Sequence, residues 1–474
     1  MLSRTTATNL QYERTRMLPS FIQSLKKNSA SIDAGVVGST GIASCNVSVT
    51  GSYPHLVKRS IRIVKRISAA ILLNRNQLRD SFHVPDFESC LETRLKVPFQ
   101  SARTSAIAAL LQHDHLSRLE LSDLTGVSPA GITEVTQKLL QHGLLIETPS
   151  AALEKRRGRR AVRLSMQPGH SCFVGINLGE GETLLAITDL KGEVLEQRSV
   201  LPTRSPAEIP EAVRNTFVAA LRSSAIPRSR VRGLGIAVAG IVDAQEGICR
   251  YSAALDWRDV PIAKMIGDAL QLEAWADNDA NAVAIGEHIF GNARDYDHFS
   301  SIVLGRTIGS AHYMHGILNR GHDGSAGEIG HITVDPDGRM CRCGRNGCLD
   351  TIAGGFALRR AARENGLEVD GMRKLEELAV HGDRTAANLL RNAGKALGTA
   401  VASLVHLNNP QAVIFTDLEG FENGVFRTAT RQAIENGILP RYLGSTEIVF
   451  TLADPVSLPR SAASIAAFNY LMAI

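Results

Sequence analysis

The stretch Gly327-Glu328-Ile329-Gly330-His331, followed ten residues later by Cys341-Arg342-Cys343-Gly344-Arg345-Asn346-Gly347-Cys348, decides how the rest of the chain is interpreted. It places one histidine and three closely spaced thiols on a short segment interrupted by glycines. An imidazole and three thiolates suit a tetrahedral Zn²⁺ ion, and a closed set of four protein ligands is typical of a structural site. We therefore predict one structural zinc ion bound by His331, Cys341, Cys343 and Cys348, and we favour this over the alternative that these are ordinary buried cysteines.

Length and composition indicate a globular protein with more than one domain. The chain has 474 residues, of which 44% are hydrophobic and 21% charged, enough for a large core divided over two or three domains. A net charge of +5 is compatible with nucleic acid binding but does not establish it. The seven cysteines are odd in number and clustered, and no apolar run reaches the length of a membrane span, so we expect a cytoplasmic protein.

The first hundred residues form a basic extension. Up to Arg79, twelve lysines and arginines are opposed only by Glu13 and Asp33. Residues 28–52 are rich in Ser, Gly and Thr without a lasting period, which predicts disorder, and residues 57–74 could form a basic amphipathic helix. An organellar transit peptide has a similar composition. We favour a flexible tail, or a start codon assigned too far upstream, for residues 1–100.

Two helix signals separated by a glycine follow the extension. Ser117 is a candidate N-cap with Glu120 at the capping-box position, and Gly126 ends that helix. Ser128 followed by Pro129 begins a second helix. Apolar residues recur along it at helical spacing, namely Ile132, Val135, Leu139 and Leu140. These signals predict a helix-turn-helix.

A strand after Gly143 and a basic hairpin complete a winged helix-turn-helix plan over residues 101–167. A wing of this charge can follow phosphates or enter the minor groove of DNA. The predicted DNA-binding residues are Ser128, Thr133, Gln137 and Lys138 on the second helix, and Arg156, Arg157, Arg159 and Arg160 on the wing. The alternative is a helical hairpin used for protein contacts, with the charge run as a solvated loop.

The rest of the chain has an α/β pattern. Apolar segments at residues 172–179, 184–190 and 194–200 predict three successive strands, and residues 206–223 predict a helix. Further strand and helix signals follow to the end of the chain. We predict that residues 168–474 form one α/β domain.

The motifs G-E-I-G-H and C-x-C-G-x-x-G-C resemble the signature of the ROK family, which groups sugar kinases with sugar-responsive repressors. The resemblance implies a two-lobed actin/hexokinase-like (ribonuclease H-like) ROK domain for residues 168–474. It also implies that Glu328 and His331 contact a sugar, with one ring nitrogen of His331 on zinc and the other facing a hydroxyl. Asp350 stands where the family usually has Glu, so its carboxylate is one methylene shorter.

The segment from Ala274 to Ala282 resembles the catalytic segment of the family's kinases, which implies that Asn278 and Asp279 face the ligand. Asp279 matches the kinase base that accepts the proton of the attacking sugar hydroxyl. An N-cap role at the start of a helix is compatible with this position. Ala254 stands where the family places a sugar-contacting Asn, so one polar partner of the sugar is lost.

Three segments that contact nucleotide in the kinases are altered. The first turn reads Asn177-Leu178-Gly179-Glu180-Gly181-Glu182, and its two carboxylates would repel a triphosphate. Arg306 and Thr307 replace part of a glycine-rich loop, and the glycines expected after Asp417 are absent. We therefore predict that the kinase activity is lost, which leaves Asp279 as a vestige of a catalytic base.

The predicted function is that of a sequence-specific DNA-binding transcriptional regulator, a repressor of carbohydrate metabolism genes. The predicted partners are double-stranded operator DNA, a sugar or sugar derivative as effector, and a second copy of the chain in a homodimer or homotetramer. One alternative is an ATP-dependent, glucokinase-like sugar kinase with an added N-terminal domain. Another is a ligand-dependent protein-interaction module that has lost DNA binding.

Overall fold

A computed structural model of the chain describes residues 30–35, 44–49, 102–113, 115–149, 162–421, 424–454 and 456–473. In a first compact unit, Met1–Phe99, strands β1 (Ala30–Gly35) and β2 (Ser44–Val49) pair antiparallel. This pairing differs from the disorder predicted for residues 28–52, and the β-branched Ile32 and Val47 are register partners in it. The possible helix over residues 57–74 lies outside the described residues.

A second compact unit, Gln100–Ile474, begins with three helices and a three-stranded sheet. The helices are α1 (Ala102–Gln112), α2 (Arg118–Thr125) and α3 (Pro129–Gln141). The strands are β3 (Leu116–Ser117), β4 (Leu145–Pro149) and β5 (Val162–Met166). They form an antiparallel sheet in the order β3-β5-β4, so β4 and β5 are the two sides of the predicted hairpin.

The caps of α2 and α3 are those that the sequence predicted. The Ser117 hydroxyl accepts a hydrogen bond from the Glu120 N–H at 3.2 Å, and the Glu120 carboxylate accepts one from the Ser117 N–H at 2.7 Å. Gly126 ends α2 in the left-handed conformation, with φ 67°. Ser128 caps α3 by accepting a hydrogen bond from the Gly131 N–H.

The first lobe of the α/β region has a five-stranded sheet and a smaller three-stranded one. The large sheet comprises β6 (Cys172–Leu178), β7 (Leu184–Thr188), β8 (Val194–Ser199), β9 (Val231–Val238) and β13 (Ala274–Asn278), in the order β13-β9-β6-β7-β8. The small sheet comprises β10 (Ile241–Asp243), β11 (Ile248–Ser252) and β12 (Trp257–Val260). Two helices, α4 (Ile209–Ser224) and α5 (Ile262–Leu270), cover the core of this lobe.

Helix α4 begins at Ile209, three residues later than predicted. Residues 205–208 form a turn instead, in which the Glu208 N–H donates to the Ser205 carbonyl at 3.0 Å. The Thr203 hydroxyl also contacts both ends of this turn, accepting from the Ser205 N–H and donating to the Glu208 carboxylate. These local side-chain hydrogen bonds compete with the helix, which is typical of Ser and Thr.

The second lobe is a mixed five-stranded sheet with five helices. The strands are β14 (Phe299–Leu304), β15 (Ile308–Met314), β16 (Ile317–Asn319), β17 (Ala412–Asp417) and β18 (Glu447–Leu452), in the order β16-β15-β14-β17-β18. The helices are α7 (Asp350–Ala353), α8 (Gly355–Glu364), α9 (Met372–Val380), α10 (Arg384–Asn408) and α11 (Val425–Gly437). The long α10 packs against α11 and α9, and its apolar face lies in the core of this lobe.

Two helices link the parts of this unit. The last helix, α12 (Ser457–Ala473), packs across β6 and β9, and α6 (Asp279–Ile289) packs against α12 and against β15 of the second lobe. Helix α1 contacts both α6 and α12, and one continuous buried cluster contains Ile107, Ile285 and Leu471. The N-terminal helices therefore share a hydrophobic core with α6. Among the described residues, no helix is both long and apolar enough to cross a membrane.

Candidate functional site

The four predicted metal ligands come together at one point. One ligand atom from each of His331, Cys341, Cys343 and Cys348 lies within 4.8 Å of all the others. The Cys341 Sγ lies 3.6 Å from His331 Nδ1, and the Cys343 and Cys348 sulfurs are 3.6 Å apart. Zinc–sulfur bonds of about 2.3 Å give a tetrahedron with edges of about 3.8 Å, close to these separations. The donor set and its spacing therefore fit a tetrahedral metal ion.

Backbone contacts shape the loop that carries the cysteines. The Gly347 N–H donates to the Arg339 carbonyl at 2.8 Å, and the Gly347 carbonyl accepts from the Val334 N–H at 2.8 Å. Gly347 has a φ of 69°, and a Cβ there would lie 1.5 Å from the Asp335 carbonyl oxygen. Only glycine fits this left-handed and crowded position, which explains its place beside Cys348.

A cleft of about 610 Å³ lies between the two lobes. The first lobe contributes the end of β6 and the turn after it, at residues 177–182. The second lobe contributes residues 305–307 between β14 and β15, residues 418–420 after β17, and Arg342 from the cysteine loop. Asp279, at the start of α6, lines the cleft between these two sets.

Of the residues predicted to contact a sugar, Asp279 is the one that lines this cleft, and Glu328, His331 and Asp350 lie beside it. Burial, together with the Glu328 carboxylate, raises the pKa of Asp279 to about 6. The second ring nitrogen of His331, Nε2, is 3.7 Å from Glu328 Oε2, whereas Nδ1 is the nitrogen next to the Cys341 sulfur. Asp350 Oδ1 accepts a hydrogen bond from the Ile308 N–H at 2.9 Å.

Burial also raises the pKa of the Glu328 and Asp350 carboxyl groups. Carboxylates held in a partly desolvated site provide hydrogen-bond acceptors for several hydroxyls, and the Nε2–H of an imidazole bound to metal through Nδ1 provides a donor. The arrangement can therefore bind a polyhydroxylated ligand, and the imidazole would be oriented from behind by a metal.

The side chain of Asn278 has backbone partners at both ends. Its oxygen accepts from the Ala280 N–H at 2.9 Å and the Asn281 N–H at 3.3 Å, and its nitrogen donates to the Gly240 carbonyl at 3.0 Å. It is the N-cap of α6. The N-cap alternative that the sequence left open thus applies at Asn278, one residue before Asp279.

Asp277 was not singled out from the sequence. It is buried, and its Oδ2 accepts from Arg320 Nε at 2.9 Å and Nη2 at 2.7 Å. Its other oxygen accepts from the Asn278 N–H and from the Asn281 amide. Because Arg320 follows β16 and Asp277 lies in β13, this bidentate pair joins the two lobes next to Asp279. Nothing in the spacing of two residues so far apart in sequence indicates the pair.

The two carboxylates of the first turn have partners. Glu180 forms an ion pair with Arg342, and its backbone carbonyl accepts a hydrogen bond from Arg306 Nη1 at 3.1 Å. Glu182 instead accepts a hydrogen bond from the Ser199 hydroxyl within its own lobe. Sequence reasoning treated these carboxylates as unpaired charges, and it did not assign Arg342 any role.

The helix residues predicted to contact DNA form one exposed face. Ser128, Thr133, Gln137 and Lys138 are all exposed at the start and along the outside of α3. Lys138 Nζ lies 2.8 Å from a Glu134 carboxylate oxygen, also on this face. The predicted wing residues Arg156, Arg157, Arg159 and Arg160 lie outside the described residues.

Comparison with known proteins gives a family match. A sequence model described as the ROK family matches residues 173–446, which is more than half of the chain. A xylose repressor of Bacillus spizizenii is 26% identical over 358 residues, covering 74% of this chain and 90% of the repressor. A glucokinase of Thermotoga maritima is 29% identical over 294 residues, covering 58% of this chain and 91% of the kinase.

A solved structure extends the similarity over most of the described chain. The crystal structure of a ROK family transcriptional regulator, described as a homolog of the E. coli MLC protein, aligns with a TM-score of 0.66 at 25% identity. The alignment covers 79% of this chain and 98% of that regulator. Residues 168–474 make up less than two thirds of the chain, so an alignment of this extent also includes residues before 168.

Proposed function

Since the chain belongs to the ROK family, we propose that it is a DNA-binding transcriptional regulator whose DNA affinity is controlled by a sugar or sugar derivative, and that it acts as a repressor. The observation that carries the proposal is the helical unit that precedes the two lobes in sequence. One face of its helix α3 packs into the core shared with α6, and the opposite face is exposed to solvent. A sugar kinase has no need of such a unit. The similarity to a xylose repressor, which extends into this unit, supports the same assignment.

We assign residues 101–167 to a winged helix-turn-helix, with α3 as the helix that enters the major groove and the β4–β5 hairpin as the wing. Ser128, Thr133, Gln137 and Lys138 would contact bases and phosphates from α3, and the four predicted wing arginines would contact phosphates. Residues 168–474 would form the effector-binding domain, and a homodimer or homotetramer would present paired DNA-binding units. We place residues 1–100 outside both domains.

The effector would occupy the cleft beside Asp279, Glu328, His331 and Asp350. Zn²⁺ bound by His331, Cys341, Cys343 and Cys348 would fix the imidazole ring and leave Nε2 directed at a ligand hydroxyl. Asn278 would act by positioning Asp279, because its amide is already hydrogen bonded at both ends. We propose that no phosphoryl transfer follows, since acidic and basic side chains occupy the turns where the kinases bind phosphate.

Helix α6 would couple ligand binding in the cleft to DNA binding by the N-terminal helices. This helix begins at Asp279 in the cleft and packs against α1 of the DNA-binding unit. A ligand that binds one arrangement of the lobes better than another shifts α6 relative to the first sheet, and so changes the geometry presented to DNA.

The test is a DNA-selection experiment followed by binding measurements. Purified protein should enrich a defined sequence from a random duplex library, and log Kd should rise linearly with log salt concentration. In parallel, ATP is added with a panel of sugars, and phosphorylated product is measured. Enrichment without product supports the proposal, whereas rapid phosphorylation without enrichment supports the sugar kinase alternative.

A further inference from the structure

The rim of the cleft contains an ion-pair cluster that links the two lobes. Glu180 lies in the turn between β6 and β7 of the first lobe, whereas Arg306 and Arg342 belong to the second lobe. Arg342 pairs with the Glu180 carboxylate, and Arg306 donates to the Glu180 backbone carbonyl. Both arginines therefore hold the same residue across the gap between the lobes.

The ring of Phe356 lies next to both of these arginines and a third one. The guanidinium carbons of Arg306, Arg342 and Arg359 each lie 5.5 Å from the centroid of the Phe356 ring. Cation–π attraction holds the flexible arginine side chains near that ring, and Arg359 is further held by Glu419. Because Arg306 and Arg342 are restrained before they meet Glu180, less side-chain entropy is lost when the contact forms.

The position of Arg342 ties this cluster to the metal centre. It lies between Cys341 and Cys343, so the loop that gathers the candidate metal ligands also presents the guanidinium to Glu180. The carboxylate is mostly shielded, with 19% of the Glu180 side chain exposed against 50% for Arg342. A shielded carboxylate paired with an arginine is less screened by salt than a fully exposed pair.

We propose that Glu180, Arg306 and Arg342 form a clasp that holds the two lobes together at the rim of the cleft. The clasp complements the buried Asp277–Arg320 pair, which joins the lobes beside Asp279. With both links made, the chain's own side chains hold the lobes together around the cleft, and the lobes can separate only when the clasp opens. Any effect of the clasp on DNA binding rests on the proposed function. The clasp itself involves only residues of the two lobes and does not depend on that function.

The chain offers a matched control for the test. Glu182 lies two residues from Glu180, carries the same charge and lines the same cleft, yet its carboxylate contacts Ser199 of its own lobe. Replacing Glu180→Gln removes a contact between the lobes, whereas Glu182→Gln removes one within a lobe. A double exchange, Glu180→Arg with Arg342→Glu, reverses the pair and tests whether the two side chains act on each other.

The experiment measures the distance between the lobes by fluorescence transfer in the full chain. Donor and acceptor dyes are attached through unnatural amino acids at Val218 in α4 and Val380 in α9, which are both exposed. Glu180→Gln should raise the open-to-closed ratio roughly fivefold, and Glu182→Gln should leave it near the wild-type value. The double exchange should restore most of the closed population.

Equal distances in Glu180→Gln and Glu182→Gln would overturn the clasp. It would also be overturned if the double exchange were as open as Glu180→Arg alone and Arg342→Glu alone, which are measured alongside it. Circular dichroism of each variant confirms that it folds. The distance is measured without DNA, so failure of the clasp and failure of the proposed regulatory function give separate results.

Discussion

At the scale of single residues, we expect Asp279 to set how the cleft responds to pH. Its carboxyl is desolvated and lies near Glu328, and the resulting pKa is about 6. The ionised form accepts hydrogen bonds from ligand hydroxyls more strongly than the protonated form. Effector binding should thus depend on the state of one carboxyl that titrates near neutral pH.

We predict that effector affinity is full above pH 7 and falls as the pH drops through 6. If only the carboxylate form binds, affinity at pH 5 is about one tenth of its plateau value. The direction follows because protonation of the Asp279 carboxylate removes a hydrogen-bond acceptor for the ligand hydroxyls. Isothermal titration calorimetry of an effector sugar between pH 5 and 8 measures this dependence. The Asp279→Asn variant should bind the sugar weakly, and its affinity should not change with pH. A wild-type affinity that stays constant between pH 5 and 8 would refute the role of Asp279.

Neighbouring residues in one motif illustrate what sequence can and cannot predict. The segment around Asp279 is recognisable from the chain alone, because its residue types and order resemble the family's motif. Asp277, Asn278 and Asp279 nonetheless have three different environments: a buried lobe–lobe pair, a helix cap and a cleft wall. Those differences depend on Arg320 and Gly240, whose proximity arises only from the folded topology.

At the scale of elements, α12 packs so closely on the first sheet that two strand positions exclude any side chain. A Cβ at Gly175 of β6 would lie 1.8 Å from the Pro459 carbonyl oxygen, and one at Gly235 of β9 would lie 1.8 Å from that of Ala462. The neighbouring atoms are helix backbone, which cannot move aside without displacing the helix.

We predict that Gly175→Ala lowers the free energy of unfolding by about 3 kcal/mol, because overpacking forces α12 away from β6. Gly181→Ala is the control, since an added Cβ there meets no atom within 4 Å. Urea unfolding followed by tryptophan fluorescence measures both. The account of this interface would fail if the two variants unfolded at the same urea concentration.

The cysteine loop is the element on which the metal proposal depends. We predict one zinc ion per chain, and loss of that ion in Cys343→Ser, because a neutral hydroxyl is a much poorer zinc ligand than a thiolate. Elemental analysis by mass spectrometry gives the metal content. Cys249→Ala, at a buried cysteine outside the cluster, should keep its zinc. Purified wild-type protein that binds no zinc when supplied with it would contradict the prediction.

Elements with strong local signals were predicted well from the sequence. The caps of α2 and α3 come from side-chain to backbone hydrogen bonds within a few residues, so their residue types are visible in the chain. The pairing of β1 with β2 was missed because the alternation of apolar residues, at Ala30, Ile32 and Ala34 and at Cys45, Val47 and Val49, is too short to stand out in a Ser- and Gly-rich segment. The start of α4 was misplaced because Thr203 and Ser205 stabilise a turn. The clasp at Glu180 joins residues more than a hundred positions apart, and no local pattern encodes it.

At the scale of the whole molecule, a continuous core joins the N-terminal helices to α6 and α12. A module tethered only by a flexible linker would not respond to events in the cleft. Helix α1 packs against α6, and we propose that the two ends influence each other through this contact, because packed interfaces tend to switch between discrete arrangements.

We predict that replacing Arg156 and Arg157 with Gln weakens DNA binding uniformly across sequences. The plot of log Kd against log salt should lose about two units of slope, as expected when two phosphate contacts disappear. Fluorescence anisotropy with labelled duplexes at several salt concentrations gives the slope. Lys264→Gln removes an exposed charge from α5, outside the N-terminal unit, and should leave the slope unchanged. An unchanged slope in the double variant would exclude these arginines from the DNA contact.

The central claim is that occupancy of the sugar cleft controls DNA binding, and one titration tests it most directly. The Kd for the selected duplex is measured without nucleotide, in the presence of each sugar that raises the melting temperature of the protein. We expect at least one such sugar to change the Kd by fivefold or more, within the usual range of coupling between sites. If every sugar that stabilises the protein leaves the DNA affinity unchanged, the claim is wrong.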